Sequence, residues 1–283
     1  MLVNLREALA EASAKGYAVG AFNCASLESA RSAIIASEEL GIPFVMQFAP
    51  VHAQYIPFEI AAPIMLALAK SAKTPVCVHL DHGPSVDYCL CAMAAGFTSV
   101  MLDRSGVPFR QNLAETKLVT SVAHQMGVTV EAELGSMPHN FNGEIGDYKP
   151  EDFYTNPAEA AEFVDETQVD ALAISFGTVH GIYKTTPKLS IEVIDKVRES
   201  TGNLPLVMHG GSGLSRDDYR NAIKAGIRKI NYYTYEALAG GKGVYDLVKE
   251  KPEGLQFHDV CVRATEAMAA DVKRVMKIFA NRD

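Results

Sequence analysis

Short apolar runs rich in β-branched residues recur along the chain, and longer segments with helical spacing of apolar positions separate them. Continuous apolar strands that alternate with helices predict a parallel sheet covered on both faces. Eight such units favour a closed (β/α)8 TIM barrel over an open sheet. The predicted strands are residues 17–23, 43–48, 75–80, 99–102, 128–134, 171–175, 204–209 and 227–231.

The segments between these runs predict the helices of the barrel. An extra N-terminal helix at about 4–15 and a C-terminal helix at about 258–280 are expected to flank it. No linker divides the chain, so we expect a single barrel domain over residues 1–283. The long polar connection 135–157 is expected to be an active-site loop. Helical spacing is clearest over residues 26–40, 86–96, 112–127 and 157–168.

Composition and charge bear on the partners and the location of the protein. A formal net charge of −8 argues against a general affinity for nucleic acid or anionic membranes. No apolar run approaches membrane-spanning length, and the first residues read as an amphipathic helix. The five cysteines contain no CxxC pair, which favours reduced thiols and a cytoplasmic location.

Three histidines directly precede a glycine, and each follows an apolar run. They are His82, His180 and His209, after the third, sixth and seventh runs. Because the loops after barrel strands form the active-site mouth, we expect these side chains to converge. A single loop histidine is more often a hydrogen-bonded structural residue. Three converging imidazoles instead favour a catalytic zinc site with an open fourth position.

Acidic residues are predicted at the same rim. Asp81 precedes His82 and could move a proton to or from a substrate oxygen, or it could instead cap the loop. Asp103 ends the fourth run. Glu131 and Glu133, two apart on the fifth run, face the same side, either into the barrel or toward its helices. Each of the last three could be a metal ligand or an outer support.

A phosphate site is predicted on the loops after strands seven and eight. The glycine-rich segment 210–213 offers unobstructed backbone N–H groups and the Ser212 hydroxyl. Asn231 and Thr234 lie at the end of the eighth run, where a helix begins. Barrels frequently bind phosphate there, and helix N-termini favour anions. Lys184 could add a positive charge.

These segments together resemble the class II, zinc-dependent ketose-bisphosphate aldolases of the fructose- and tagatose-bisphosphate type. The matching motifs are GAFN, HLDHG, SVMLD, VEAELG, VHG, LVMHGGSG and INxxT, in family order over nearly the whole chain. The resemblance implies reversible retro-aldol cleavage of a phosphorylated ketose, a ketose 1-phosphate or 1,6-bisphosphate. The products would be dihydroxyacetone phosphate and an aldehyde.

The resemblance also implies roles for individual residues. His82, His180 and His209 would be the zinc ligands, Asp81 the catalytic acid/base, and Glu133 and Asp103 an alternative or second metal position. It implies one Zn2+ per subunit, a monovalent cation (Na+ or K+) near the phosphate, and a homo-oligomer, either a dimer or a tetramer. The residues expected to hold the phosphorylated end are Asn23, Gly181, Lys184, Gly210, Ser212, Asn231 and Thr234.

Three departures from the family pattern leave the aldehyde half of the substrate open. The GGxED segment that supplies a second proton carrier is replaced by GSMPHNFNGEIGDY, where His139, Glu144 and Asp147 are candidate substitutes. Ala49 stands where a serine or threonine is common. After the eighth run, Tyr232, Tyr233 and Tyr235 are expected to narrow the mouth.

Two other functions compete with the aldolase. One is a metal-dependent barrel hydrolase, although the chain lacks an HxH pair on its first strand and the phosphate loop would have no use. The other is a non-catalytic phosphosugar-binding relative, suggested by the missing GGxED segment. Release of dihydroxyacetone phosphate would separate the aldolase from both.

Overall fold

Eight parallel strands close into a barrel in the computed structural model, which describes residues 1–135, 150–183 and 187–283. Closure comes from β4, which pairs with β3 on one side and with β5 on the other. The predicted (β/α)8 TIM barrel is therefore confirmed. The barrel strands are β2 (Val19–Asn23), β3 (Phe44–Phe48), β4 (Val76–Gly83), β5 (Ser99–Leu102), β6 (Thr129–Leu134), β7 (Ala171–Ile174), β8 (Leu206–Met208) and β9 (Ile227–Tyr232). A two-residue strand, β1 (Leu2–Val3), lies outside the barrel and pairs with the start of β4.

Helices cover the outside of the barrel, and the two flanking helices are present as predicted. The helices are α1 (Leu5–Lys15), α2 (Leu27–Leu40), α3 (Phe58–Ser71), α4 (Val86–Ala95), α5 (Phe109–Gln125), α6 (Pro157–Thr167), α7 (Ile191–Ser200), α8 (Arg216–Ala225), α9 (Thr234–Glu250) and α10 (Phe257–Phe279). The backbone N–H of Leu5 donates to Thr129 Oγ1, which ties α1 to the barrel at the start of β6. Helix α10 packs along α2 and α9.

Local sequence explains where the helices begin and end. Ser26 and Ser215 accept backbone N–H groups in the first turns of α2 and α8, which satisfies donors that have no partner within the helix. Gly16 and Gly41 end α1 and α2 in the left-handed conformation that glycine adopts without strain. None of the helices in the described part of the chain is both long and apolar enough to cross a membrane.

The side chains of the strands pack on two sides, against the helices outside the barrel and in the barrel interior. The outward-facing ring of Tyr232 packs against Phe279 of α10 and against Phe22 of β2, with ring centroids 6.3 and 6.2 Å apart. Inward-facing residues near the carboxyl ends of the strands are polar and buried, among them Asn23, Glu131 and Asn231. Because side chains alternate along a strand, these two sets interleave in the sequence. The barrel thus places polar side chains together at one mouth.

Candidate active site

A bulge at the end of β4 lets two neighbouring residues face the same space. The pairing of β4 with β5 runs regularly to Leu80, then shifts register and resumes at Gly83. His82 has a φ of 49°, a left-handed conformation that is uncommon for a residue with a side chain. In a regular strand Asp81 and His82 would point in opposite directions. Here His82 Nε2 lies 3.9 Å from Asp81 Oδ1.

Gly83 makes this bulge possible. A Cβ atom at position 83 would lie 2.4 Å from the carbonyl oxygen of Met101 on β5. Any side chain would therefore push the two strands apart at the point where the register resumes. The glycine that follows the first of the three histidines thus has a packing role beside the site.

The three predicted histidines converge at the mouth. The ring centroid of His82 lies 5.1 Å from that of His180 and 4.6 Å from that of His209, and the latter two centroids are 5.9 Å apart. One nitrogen atom of each imidazole lies within 4.8 Å of the others. A second group of that size joins His82 to Asp103 and Glu133. All five residues of the two groups are among those that the sequence analysis named as candidate metal ligands.

Carboxylates behind the histidines fix the orientation of two rings. His82 Nδ1 is 2.7 Å from Asp103 Oδ2, so Nε2 points toward the other imidazoles. His209 Nε2 is 2.9 Å from Glu131 Oε1, so its Nδ1 faces the cluster. Histidines that bind metals commonly donate their other ring N–H to a carboxylate in this way. Glu131 therefore supports the ring of His209. Both glutamates of β6 face the barrel interior.

Two buried atoms at this cluster have no hydrogen-bond partner in the described part of the chain. His209 Nδ1 and Glu133 Oε2 lie 3.5 Å apart. Unpaired polar atoms in a protein interior are costly, and a cation between such donors would satisfy both. Burial, reinforced by the charge of Asp103, raises the pKa of Glu133 to about 8. The donor set of imidazoles and carboxylates therefore fits a divalent metal ion.

Asp81 is held by two amide groups. Asn23 Nδ2 donates to its Oδ2 at 2.8 Å, and Asn231 Nδ2 donates to its Oδ1 at 3.0 Å. Burial alone would raise the pKa of Asp81, but the nearby charges of His82, His209 and Lys229 hold it well below its usual range. Asp81 is therefore an ionised acceptor that faces the histidine cluster.

The two loops predicted to bind phosphate lie against each other. Ser212 Oγ accepts the backbone N–H groups of Tyr233 and Thr234 at 3.0 and 3.1 Å, at the start of α9. Gly210 has a φ of 63°, and a Cβ there would lie 2.3 Å from the carbonyl oxygen of Val179. This glycine therefore allows the loop after β8 to touch the loop that carries His180. Ser212 thus contacts Thr234 directly, and the backbone carbonyl of Asn231 accepts the N–H of Gly211 at 3.1 Å.

Comparison with known proteins identifies the family. The family model described as class-II fructose-bisphosphate aldolase matches residues 3–283. The chain is 38% identical over 281 residues to the fructose-bisphosphate aldolase of Staphylococcus aureus, across 98% of this chain and 97% of that protein. The chain belongs to the class II fructose-bisphosphate aldolase family. It is an aldolase, a lyase of carbon–carbon bonds, and its family is metal-dependent.

Other members of the aldolase family show the same relationship. A probable fructose-bisphosphate aldolase of Bacillus subtilis is 38% identical over 284 residues, across 99% of this chain and 98% of that protein. The crystal structure of the YdjI aldolase from Escherichia coli K12 superimposes with a TM-score of 0.87 at 33% identity, across 99% of this chain and 97% of that chain. The barrel and its element order are therefore those of this aldolase family.

Some residues predicted for this aldolase lie outside the described residues. They are Lys184 and the three candidate second proton carriers, His139, Glu144 and Asp147. Gly181 lies within the described part, one residue after His180, with a φ of 95°. Ala49 is buried directly after β3, where it precedes the short 3-10 helix Pro50–Gln54.

The prediction that Tyr232 narrows the mouth of this aldolase is wrong. Its hydroxyl donates to Asp271 Oδ2 on α10 at 2.7 Å, on the outside of the barrel. The physical reason is strand alternation, because Asn231 faces inward and its neighbour must face outward. Tyr233 instead lies at the mouth, where its ring centroid is 4.5 Å from that of His52. Tyr235 packs against Gly213 of the loop after β8.

Sequence reasoning missed four polar residues around this aldolase site: Gln47, His52, His79 and Lys229. All four are buried, and the first, third and fourth lie within strands that read as continuous apolar runs. A lysine two positions before Asn231 in such a run was an available signal, because residues two apart share a face. His52 gave no comparable signal, since it lies in an irregular segment after β3.

Proposed function

We propose that this aldolase cleaves a phosphorylated ketose, a ketose 1-phosphate or 1,6-bisphosphate, to dihydroxyacetone phosphate and an aldehyde, reversibly. The observation that carries the proposal is the position of Asp81, an ionised and amide-held carboxylate next to three converging imidazoles. A base beside a metal site suits a reaction that removes a hydroxyl proton while negative charge develops on nearby oxygen atoms.

His82, His180 and His209 would hold one metal ion per subunit, which we propose to be Zn2+. When bound, the ion supplies Lewis-acid stabilisation for the oxygen atoms of the three-carbon half of the substrate. Glu133 and Asp103, with His82, offer the alternative or second metal position. The support for both assignments is the geometry of the donor atoms, together with His209 Nδ1 and Glu133 Oε2, two buried atoms that have no hydrogen-bond partner among the described residues.

Asp81 would carry the proton of the leaving aldehyde. Its carboxylate accepts the proton from the hydroxyl group of the ketose as the carbon–carbon bond breaks, and that oxygen becomes the aldehyde oxygen. In the aldol direction the same carboxyl returns the proton. The amides of Asn23 and Asn231 hold both carboxylate oxygens in place, so that the group stays ionised until the substrate arrives.

The phosphate group would bind where the loops after β7, β8 and β9 meet. Ser212 offers a hydroxyl group, and Thr234 lies at the start of α9, the positive end of that helix. Gly210 and Gly181 have no side chain to cover their backbone N–H groups. Asn23 and Asn231 offer amide groups, and Lys184 would add a positive charge. We also propose that a monovalent cation, Na+ or K+, binds near the phosphate.

We further propose that residues 1–283 form a single barrel domain that assembles as a dimer or tetramer in the cytoplasm. Large apolar side chains are exposed on α9 and α10, among them Tyr245, Val248 and Phe257. Exposed apolar patches on a soluble enzyme are typical of contact surfaces. The small-molecule chemistry of the site leaves no role for nucleic acid or a membrane surface as partner.

The test of this function is release of dihydroxyacetone phosphate from a panel of ketose mono- and bisphosphates, with and without a chelator. We expect chelator-sensitive release from at least one of them. Inorganic phosphate without carbon–carbon cleavage would support a hydrolase. Protein that binds zinc and the phosphosugars but releases no product from any of them would support a non-catalytic relative.

A further inference from the structure

A buried ion pair inside the barrel lies behind both halves of the site. Lys229 on β9 is fully buried, and its Nζ lies 2.8 Å from Glu131 Oε2 and 2.8 Å from Asn231 Oδ1. Removing two charges from water costs on the order of several kcal/mol per ion, and such a pair often stabilises a protein less than apolar residues of the same volume. A contribution to stability therefore does not explain why this ion pair is buried here. The ion pair is instead connected to Asp81 through Asn231 and to His209 through Glu131.

On one side, Lys229 fixes which way the amide of Asn231 points. An ammonium group only donates, so the atom of Asn231 that faces Lys229 must be the oxygen. The nitrogen then faces Asp81 and donates to Oδ1 at 3.0 Å. Without the ammonium the amide could turn over, and its oxygen would oppose the carboxylate. The amide of Asn23 has no such donor-only anchor, because its partner Gln47 is itself an amide.

On the other side, Lys229 holds the glutamate that orients a metal-ligand ring. With Oε2 of Glu131 on the ammonium, Oε1 is directed at His209 Nε2, 2.9 Å away. This contact turns His209 Nδ1 toward Glu133 and the other imidazoles. One ammonium group is thus connected to the base through two hydrogen bonds, and to a proposed metal ligand through an ion pair and one hydrogen bond.

We infer that Lys229 is a positioning residue that sets the orientation of Asp81 through Asn231 and of His209 through Glu131. The inference rests on the proposed function, since it gives the two orientations their purpose. Lys229 itself faces the closed interior of the barrel and has no exposed surface. It therefore acts through its neighbours rather than on the substrate.

The test compares Lys229→Met with the double variant Glu131→Gln/Lys229→Met. The single change leaves a buried carboxylate without its cation, which is expected to destabilise the fold strongly. The double change removes both charges together and keeps the volume. Thr167→Val is the matched control, because Thr167 is buried in α6 and its hydroxyl donates to the carbonyl oxygen of Phe163 at 2.6 Å, away from Asn231 and Glu131. Folding of each variant is checked by circular dichroism.

We expect the double variant to fold, with kcat reduced by about 100-fold and KM within about threefold of wild type. Its zinc affinity, measured by competition with a chelator, should fall by about tenfold. Its crystal structure should show Asn231 Nδ2 beyond hydrogen-bond distance of Asp81. A merely structural role would lower the unfolding free energy, as in Thr167→Val, without changing kcat, the zinc affinity or the Asn231–Asp81 contact.

The inference is overturned if the folded double variant keeps the kcat, the zinc affinity and the Asn231–Asp81 contact of wild type. It is also overturned if neither Lys229 variant folds while Thr167→Val does, since the ion pair then serves the fold. If wild-type protein cleaves no ketose phosphate, the proposed function fails separately. The zinc affinity and the Asn231 geometry then still decide the role of Lys229.

Discussion

At the scale of single residues, several side chains of this site have a structural and a functional task at once. Ser212 Oγ accepts two backbone N–H groups at the start of α9, and its hydroxyl hydrogen remains able to donate to an anion. His82 adopts a left-handed backbone, and the carboxylates of Asp81, Asp103 and Glu133 raise its pKa to about 10 against the opposing effect of burial. Substitutions at such positions change binding and stability together, so each needs a control.

Replacing Ser212 with Ala should raise KM for the phosphorylated ketose about tenfold, the equivalent of one lost hydrogen bond to an anion. It should also lower the free energy of unfolding by about 1 kcal/mol, because α9 loses its capping hydroxyl. Steady-state kinetics and urea unfolding measure the two effects.

Ser215→Ala is the matched control for Ser212→Ala. Ser215 caps α8 by accepting the N–H of Asp218, and its own hydroxyl donates to Asp218 Oδ2 at 2.7 Å. The control should lose about 1 kcal/mol of stability with KM unchanged. A KM for Ser212→Ala equal to that of Ser215→Ala would remove Ser212 from the phosphate site.

At the scale of secondary structure elements, the periodicity of apolar residues predicted the regular helices and strands and missed the irregular segments. The predicted first and last helices, about 4–15 and 258–280, agree with α1 and α10 to within a residue. The third strand was expected to end at Leu80, yet β4 continues to Gly83 through its bulge. A bulge depends on the register of the neighbouring strand, which no local pattern encodes. Likewise, the inward direction of Glu131 and Glu133 became clear only once the barrel closed.

Helix α9 contains a buried acid that makes its stability depend on pH. Glu236 is 1% exposed, Oε1 accepts the Ser32 hydroxyl at 2.8 Å, and Oε2 has no hydrogen-bond partner in the described part of the chain. Burial, helped by the charge of Asp271 and opposed by the Ser32 hydrogen bond, raises its pKa from 4.5 to about 8. The folded state therefore favours the protonated acid. Its contribution to stability is complete below pH 4.5 and is lost as pH rises through 8.

Glu236→Gln should remove this dependence. The stability of the Gln variant relative to wild type should increase by roughly 1 to 3 kcal/mol between pH 5 and pH 8.5, because only wild type must ionise a buried group. Urea unfolding at several pH values measures the difference. The control is Glu253→Gln, at an exposed position between α9 and α10, which should show a constant difference. A constant difference for Glu236→Gln as well would contradict the assignment.

At the scale of the whole molecule, barrel closure makes the site. Asp81 and Asn231 are 150 positions apart in sequence, and His209 and Glu131 are 78 apart, yet each pair is joined by a hydrogen bond. The sequence predicted which loops meet, because the carboxyl ends of barrel strands share one mouth. It did not predict the contacts inside the barrel, such as Lys229 with Glu131, because these depend on how far each strand is staggered against the next.

The central claim is that Asp81 moves the proton at a metal site formed by three histidines. The most direct test measures bound zinc and retro-aldol turnover together in Asp81→Ala and His209→Ala. Asp81→Ala should hold as much zinc as wild type and lose turnover by about 100- to 10,000-fold, the usual contribution of a general acid/base. His209→Ala should lose zinc and turnover together. Near-normal turnover in Asp81→Ala, or full zinc content in His209→Ala, would contradict the account.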